Sequence, residues 1–129
     1  MHYKVASPIL ALGLVALTAC GSSSSSSSTA PATADVVVRA TDGLRWNATS
    51  YTASAADGAI SLYAVNDSGL AHNLHIVDSD GNDVGSPIDL PTKGANGTDD
   101  LDLAPGEYRI ICKIPGHSGT MDAQLTITP

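Results

Sequence analysis

Short alternating segments separated by turn residues constrain the fold of this chain more than any other feature. β-Branched and aromatic residues alternate with small or polar ones over short runs, and Gly, Pro, Asn and Asp stand between the runs. No segment has apolar residues at helical spacing over three turns. The predicted strands are residues 35–40, 44–53, 59–65, 72–77, 87–90, 98–103, 108–112 and 120–128. About seven or eight short strands at this spacing indicate an all-β Greek-key β-sandwich.

The N-terminal segment, residues 1–20, has the layout of an export signal. A short basic start at His2 and Lys4 precedes an apolar run at residues 8–19, which is too short to span a bilayer comfortably. The run ends in Leu-Thr-Ala before Cys20, which resembles the bacterial lipobox. This resemblance implies that Cys20 is lipidated and becomes the mature N-terminus. We therefore expect an exported protein, lipid-anchored at the membrane in the periplasm or at the cell surface, although an ordinary signal cleaved elsewhere is the alternative.

A serine-rich segment separates this signal from the rest of the chain. Residues 21–34 include seven consecutive serines at positions 22–28 and have no apolar periodicity, so we expect a flexible tether. The remaining residues, 35–129, suffice for one hydrophobic core and are too few for two. We therefore expect one domain, and a monomer.

The charge balance limits the classes of partner. The chain has 13 acidic and 6 basic residues, for a net charge of −7, and this acidity argues against nucleic-acid binding. The negative charge could steer the protein toward a basic partner, but solubility alone also explains it.

Three soft or borderline-soft donors lie close together near the C-terminus. A thiol, an imidazole and a thioether occur at Cys112, His117 and Met121, around a Pro-Gly turn, and His72 offers a second imidazole upstream. These ligand types favour copper over magnesium or calcium, although Zn²⁺ can occupy the same donors. If Cys20 is lipidated, Cys112 is the only thiol of the domain, and metal ligation explains a lone thiol outside the cytoplasm.

His75 is a rival to His72 for the same role. The two residues point to opposite faces of the predicted strand, because side chains alternate along a strand. His72 shares its face with the apolar residues Leu74 and Ile76 and is followed by Asn73. The sequence therefore favours His72 as the ligand.

The order and spacing of these residues resemble the cupredoxins, the azurin and plastocyanin group of blue copper proteins. The residues that carry the resemblance are Asn66, His72-Asn73 and Tyr108-x-x-x-Cys112-x-x-Pro115-Gly116-His117-x-x-x-Met121. The resemblance spans most of residues 35–129, and the spacing in the last motif is more like azurin than plastocyanin. The chain is shorter than azurins and contains no Phe, which leaves the subfamily open.

The resemblance implies one mononuclear type 1 copper ion. It implies His72, Cys112 and His117 as equatorial ligands and Met121 as the axial ligand. It also implies that Asn73 ties the two ligand loops together by hydrogen bonds, as partners behind metal ligands often do. In some members a backbone carbonyl just before the first histidine approaches the metal, which here is that of Ala71.

We expect a carrier of single electrons that docks briefly with redox partner proteins. The expected electron port is the outer edge of His117, surrounded by Ile114, Pro115 and Leu70. A single-chain enzyme is not expected, because copper enzymes of this fold need a second copper centre with many more histidines. The alternative is a copper-binding or delivery protein, acting as a chaperone or scavenger, although the chain lacks Met-rich or His-rich tracts.

Overall fold

A computed structural model describes residues 28–129, so the predicted export signal, Cys20 and the first half of the serine-rich segment lie outside the described residues. The described part of the chain forms nine strands. They are β1 (Val36–Thr41), β2 (Arg45–Trp46), β3 (Ser50–Ser54), β4 (Ile60–Asn66), β5 (His72–Val77), β6 (Asp83–Leu90), β7 (Asn96–Leu101), β8 (Gly106–Ile111) and β9 (Asp122–Thr128). No helix within residues 28–129 is long and apolar enough to cross a membrane.

The strands form two mixed sheets. One sheet has the order β2-β1-β4-β7 and the other β3-β9-β8-β5-β6. β1 pairs with β4 in parallel, β3 pairs with β9 in parallel, and the other pairs are antiparallel. The predicted all-β sandwich is confirmed.

Alternation along the strands builds the core between the sheets. In β1 every second residue is buried, and in β9 the buried residues are Ala123, Leu125 and Ile127. Burying each large aliphatic side chain stabilises the fold by about 1.5–3 kcal/mol. Trp46 joins the two sheets directly, since its buried indole N–H donates to the carbonyl of Ile110 in β8 at 3.2 Å.

The strand predicted at residues 44–53 is two strands, which raises the count to nine. β2 is an edge strand of the first sheet and β3 is an edge strand of the second, so the chain crosses from one sheet to the other after Trp46. The break follows Asn47, which makes the last β1–β2 contacts with both its backbone and its side chain. Its N–H donates to the Arg39 carbonyl at 2.9 Å, and its Oδ1 accepts the Arg39 N–H at 2.7 Å. Apolar alternation alone does not reveal such a change of sheet.

Among the other strands, β6 and β7 differ most from the prediction, and β1, β4, β8 and β9 differ by one or two residues at an end. β6 begins at Asp83, upstream of the strand predicted at residues 87–90, because its first residues pair with the end of β5 across a register shift. β7 begins at Asn96 and ends at Leu101, two residues earlier at each end than predicted.

The topology brings four chain segments to one end of the sandwich. β5 begins there with His72 and runs antiparallel to β8, which ends there at Ile111. β9 runs antiparallel to β8 and therefore begins at the same end, just after Met121. The loop from β4 to β5 completes this end, which we call the metal end.

Candidate metal centre

His72, Cys112 and His117 converge at the metal end. One ligand atom from each lies within 4.8 Å of the others. The two histidine Nδ1 atoms are 3.3 Å apart, and the Cys112 Sγ is 3.7 Å from the His117 Nδ1. Within the described residues Cys112 is a free, buried thiol.

Backbone hydrogen bonds shape the loop that carries Cys112 and His117. The N–H of Cys112 donates to the carbonyl of Met121 at 3.0 Å, which closes the loop at its base. The N–H of His117 donates to the Ile114 carbonyl at 3.0 Å, and the His117 carbonyl accepts the Met121 N–H at 2.9 Å. Gly116 has a φ of 84°, a left-handed conformation that glycine adopts without steric cost. The loop is therefore a compact turn that aims both side chains inward.

Asn73 connects this loop to the start of β5. Its Oδ1 accepts the backbone N–H of Lys113 at 2.7 Å. This bond joins the residue after His72 to the residue after Cys112, so it holds two of the donor-bearing segments side by side. The cupredoxin resemblance implied a link of this kind.

His72 is held in a buried setting. Its side chain is 2% exposed, its Nε2 lies 2.6 Å from the Oγ of Ser68, and its ring lies 6.4 Å from that of Trp46 between centroids. Burial, and secondarily the charge of His117, lower the pKa of His72 from its ordinary value. The neutral imidazole, which is the form that binds metals, is therefore favoured.

Two of the three distances between donor atoms, those that involve His117, fit a metal ion. An ion such as zinc lies about 2.0 Å from an imidazole nitrogen and about 2.3 Å from a thiolate. In a trigonal plane these lengths separate two nitrogens by about 3.5 Å, and nitrogen from sulphur by about 3.7 Å. The measured separations of 3.3 and 3.7 Å are close to these values. The donor set of two imidazoles and one thiol suits copper, and zinc less specifically.

The other residues singled out from the sequence lie in different settings. Met121 is fully buried in the core beside Cys112, and its axial ligation stays a prediction. Ala71 is exposed, and an approach of its carbonyl to the metal also stays a prediction. His75 lies on the other face of β5, where its Nδ1 is 3.3 Å from the carboxylate of Asp83.

Two contacts at the centre were not expected from the sequence. Ser68 contacts His72, and Trp46 lies against the same imidazole. The local signal for Ser68 was weak: a hydroxyl residue four positions before a histidine, in a segment that otherwise indicates only a loop.

Comparison with solved structures identifies the fold. Auracyanin A, a "blue" copper protein from the green thermophilic photosynthetic bacterium Chloroflexus aurantiacus, matches with a TM-score of 0.60 and 18% identity, covering 71% of this chain and 96% of that one. The azurin Az-iso2 from the obligate methylotroph Methylomonas sp. strain J matches with a TM-score of 0.59 and 16% identity, covering 76% of this chain and 100% of that one. Reduced rusticyanin matches with a TM-score of 0.59 and 14% identity, covering 73% of this chain and 80% of that one. No protein-family model and no curated protein sequence matches the chain. The cupredoxin-like fold predicted from the sequence is confirmed.

Proposed function

We propose that this protein, which has a cupredoxin fold, is a blue copper electron carrier. His72, Cys112 and His117 are the equatorial ligands of one copper ion in this proposal, and Met121 is its axial ligand. The observation that carries the proposal is the convergence of one thiol and two imidazoles within 4.8 Å at the metal end. A bound copper ion supplies a one-electron Cu(I)/Cu(II) couple, for which thiolate, thioether and imidazole ligands are suited.

The chain contributes a ligand geometry that is held without the metal. The Asn73 bond to Lys113 and the bonds between the backbones of Cys112, His117 and Met121 join protein groups to each other. We therefore expect the ligand positions to change little with the oxidation state of the ion, which keeps rearrangement small when an electron is gained or lost.

The test is a titration of the purified domain with Cu(II). An electron carrier of this type develops an intense blue thiolate-to-copper absorption that bleaches on reduction and returns on oxidation. The Cys112→Ser variant should lack the band. A colourless wild-type complex, or the same spectrum in both proteins, would contradict the proposal.

The electron port is proposed to be an apolar patch around His117. The His117 side chain is partly exposed, and Leu70 is 54% exposed, the one large exposed hydrophobic residue among residues 28–129. Ile114 and Pro115 flank His117 on its own loop, and the Ile114 carbonyl accepts the His117 N–H. Redox partners usually meet through small interfaces, which a patch of this size suits.

A charge on the patch tests the port. Leu70→Lys should slow electron self-exchange, measured by NMR line broadening in mixtures of oxidised and reduced protein, and should leave the blue absorption unchanged. The matched control is Ala56→Lys, which adds the same charge in the exposed loop between β3 and β4 at the other end of the sandwich. Equal rates in the two variants would place the port elsewhere.

We also propose export and lipid anchoring through Cys20. Ser28, the first described residue, donates its hydroxyl to the Gly94 carbonyl at 3.3 Å, and the Gly94 N–H donates to the carbonyl of Asn66 at the metal end. The eight residues from Cys20 to Ser28 can span at most about 28 Å. An anchor at Cys20 would therefore keep the metal end near the bilayer, where a membrane-bound redox partner could reach it. Cys20→Ala should release the protein from the membrane fraction, and retention there would contradict the anchor.

Copper delivery is the alternative function, and the partial exposure of His117 favours it. A partner could take the ion from this side, since the other three ligand residues of the proposed site are buried. The two functions differ in what remains after turnover. A carrier keeps its copper through repeated cycles of reduction and oxidation, whereas a delivery protein loses it to a Cu(I) acceptor after reduction.

A further inference from the structure

We propose that Ser68 is a positioning residue that sets the tautomer of His72 and so presents the His72 Nδ1 to the metal. This inference rests on the proposed metal site. It adds a residue of the β4–β5 loop to that site, through a relay of hydrogen bonds that begins at Asn66.

The contact between Ser68 and His72 is short and buried. The Oγ of Ser68 lies 2.6 Å from the Nε2 of His72, and the two residues are 1% and 2% exposed. A hydroxyl can donate to an unprotonated ring nitrogen or accept from a protonated one, so the remaining partners of Ser68 decide the direction.

Asn66 supplies the direction. Its Nδ2 lies 2.7 Å from the Leu70 carbonyl and 3.0 Å from the Leu90 carbonyl, and carbonyls only accept hydrogen bonds. The amide orientation is therefore determined, and its Oδ1 faces Ser68. This oxygen accepts the Ser68 N–H at 2.9 Å and lies 2.9 Å from the Ser68 Oγ.

The single hydroxyl proton of Ser68 therefore has two oxygen acceptors besides His72, the Asn66 Oδ1 at 2.9 Å and the Leu70 carbonyl at 3.3 Å, and we assign it to the closer Asn66 oxygen. The Ser68 Oγ also accepts the Leu70 N–H at 3.2 Å, and a lone pair remains to accept the Nε2–H of His72. In this arrangement the His72 Nδ1 carries no proton, and it is the atom that faces the His117 Nδ1 at 3.3 Å. The opposite direction would place the ring proton on Nδ1, inside the donor cluster.

Two effects on the metal follow from this relay. The imidazole is held in the tautomer that binds, so no proton has to move between ring nitrogens before binding. The hydrogen bond at Nε2 also makes Nδ1 a better electron donor, and losing such a partner typically lowers metal affinity 10–100-fold. Weaker donation favours Cu(I) over Cu(II), so removing the hydroxyl should raise the reduction potential.

The direct test uses the metal-free wild-type domain at neutral pH, because a metal bound at the His72 Nδ1 would place the ring proton on Nε2 whatever Ser68 does. Long-range ¹H–¹⁵N correlation spectra report which nitrogen of each histidine carries a proton. We expect His72 to carry its proton on Nε2 and to exchange it slowly with solvent. The partly exposed His117 is the internal control and should exchange faster. A proton on the His72 Nδ1, or equally fast exchange at both rings, would overturn the proposal.

Variants test the same relay through affinity and potential. Ser68→Ala should bind Zn(II) 10–100-fold more weakly in a chelator competition, and its copper form should have a higher reduction potential. Ser68→Thr keeps the hydroxyl and should restore both values toward wild type. The control is Ser79→Ala, an exposed serine in the turn after β5.

The outcomes separate this inference from the proposed function. Wild-type affinity and potential in Ser68→Ala, with His72 still bound to zinc, would overturn the role of Ser68 and leave the metal site standing. Failure of the wild-type domain to perturb any histidine resonance with Zn(II) or Cu(II) would instead overturn the metal site. If Ser68→Ala does not fold, the ¹H–¹⁵N spectra of the wild-type domain still show which nitrogen of His72 carries the proton, and they decide the proposal.

Discussion

The Asn66→Ala substitution measures how much one buried side chain contributes to the metal end. The Asn66 side chain is fully buried and makes four hydrogen bonds, two from its Nδ2 and two to its Oδ1. Alanine removes all four and leaves their partners in place. Because two of the partner residues, Ser68 and Leu70, lie in the loop that leads to His72, stability and metal binding should both respond.

The magnitude follows from which partners can find a substitute. The Ser68 hydroxyl can rotate toward His72, and the Leu70 carbonyl belongs to a part-buried bond that water can replace. The bonds to the Leu90 carbonyl and from the Ser68 N–H are buried. Each buried polar group left without a partner costs about 1–3 kcal/mol, so two such groups give a loss of about 3 kcal/mol. That is a large share of a total stability of about 5–15 kcal/mol.

Urea unfolding of the metal-free domain, followed by the fluorescence of its single tryptophan, Trp46, measures this loss. The control is Asn47→Ala, since the Asn47 Oδ1 also accepts two hydrogen bonds, from the Arg39 N–H and the Tyr51 hydroxyl, but in an exposed position. Water replaces those bonds, so we expect the control to lose about 1 kcal/mol or less. A loss below about 1 kcal/mol in Asn66→Ala, with an unchanged denaturant slope, would refute the reasoning.

Three further predictions concern packing, charge and metal binding. A Cβ on Gly97 would lie 2.7 Å from an isoleucine methyl of β6, so Gly97→Ala should cost about 1–3 kcal/mol in urea unfolding, whereas Gly69→Ala, with open space around its Cβ, should cost almost nothing. The hydrogen bond from Lys113, at 2.7 Å, holds the pKa of Asp83 below its ordinary value of 3.8. The ionised carboxylate therefore stabilises the fold above pH 3.8, and this stabilisation is lost as the pH falls through the pKa of the folded state. The difference in unfolding free energy between wild type and Asp83→Asn should accordingly decrease below pH 4, which urea unfolding at several pH values measures. An increase in this difference below pH 4 would contradict the role given to Asp83. Free Zn(II) at 100 times its Kd should raise the unfolding free energy of the wild type by about 2.7 kcal/mol and should have little effect on Cys112→Ser, which calorimetry can check.

The sequence predicts the fold class and the donor cluster well because both depend on local patterns. Alternation marks each strand, and Cys112 and His117 lie on one short loop whose turn residues are evident. His72 could be chosen over His75 because period-two alternation assigns them to opposite faces, and the structure buries His72 and leaves His75 half-buried.

The sequence does not predict where the chain changes sheet, or which residue lies behind His72. The crossing after Trp46 begins at Asn47, whose two hydrogen bonds with Arg39 join residues eight positions apart and do not show in a strand pattern. The Ser68 contact depends on Asn66, whose amide orientation is determined by the carbonyls of Leu70 and Leu90. The bond from Asn66 to the Leu90 carbonyl joins β4 to β6, which belong to different sheets, so no local pattern records it.

The two loops of the metal end are joined by protein hydrogen bonds, and this bears on how an electron carrier would work. Asn73 links the start of β5 to Lys113, and Ser68 holds the ring of His72, with no metal required for either contact. The ordering entropy of these side chains is therefore lost on folding and not on metal binding. A site organised in this way resists the different coordination preferences of Cu(I) and Cu(II). Moving the His72 ring breaks its buried contact with Ser68, and a buried polar group left without a partner costs about 1–3 kcal/mol. Loosening either link should thus slow electron self-exchange even where copper remains bound, which distinguishes a carrier from a protein that only stores or delivers the ion.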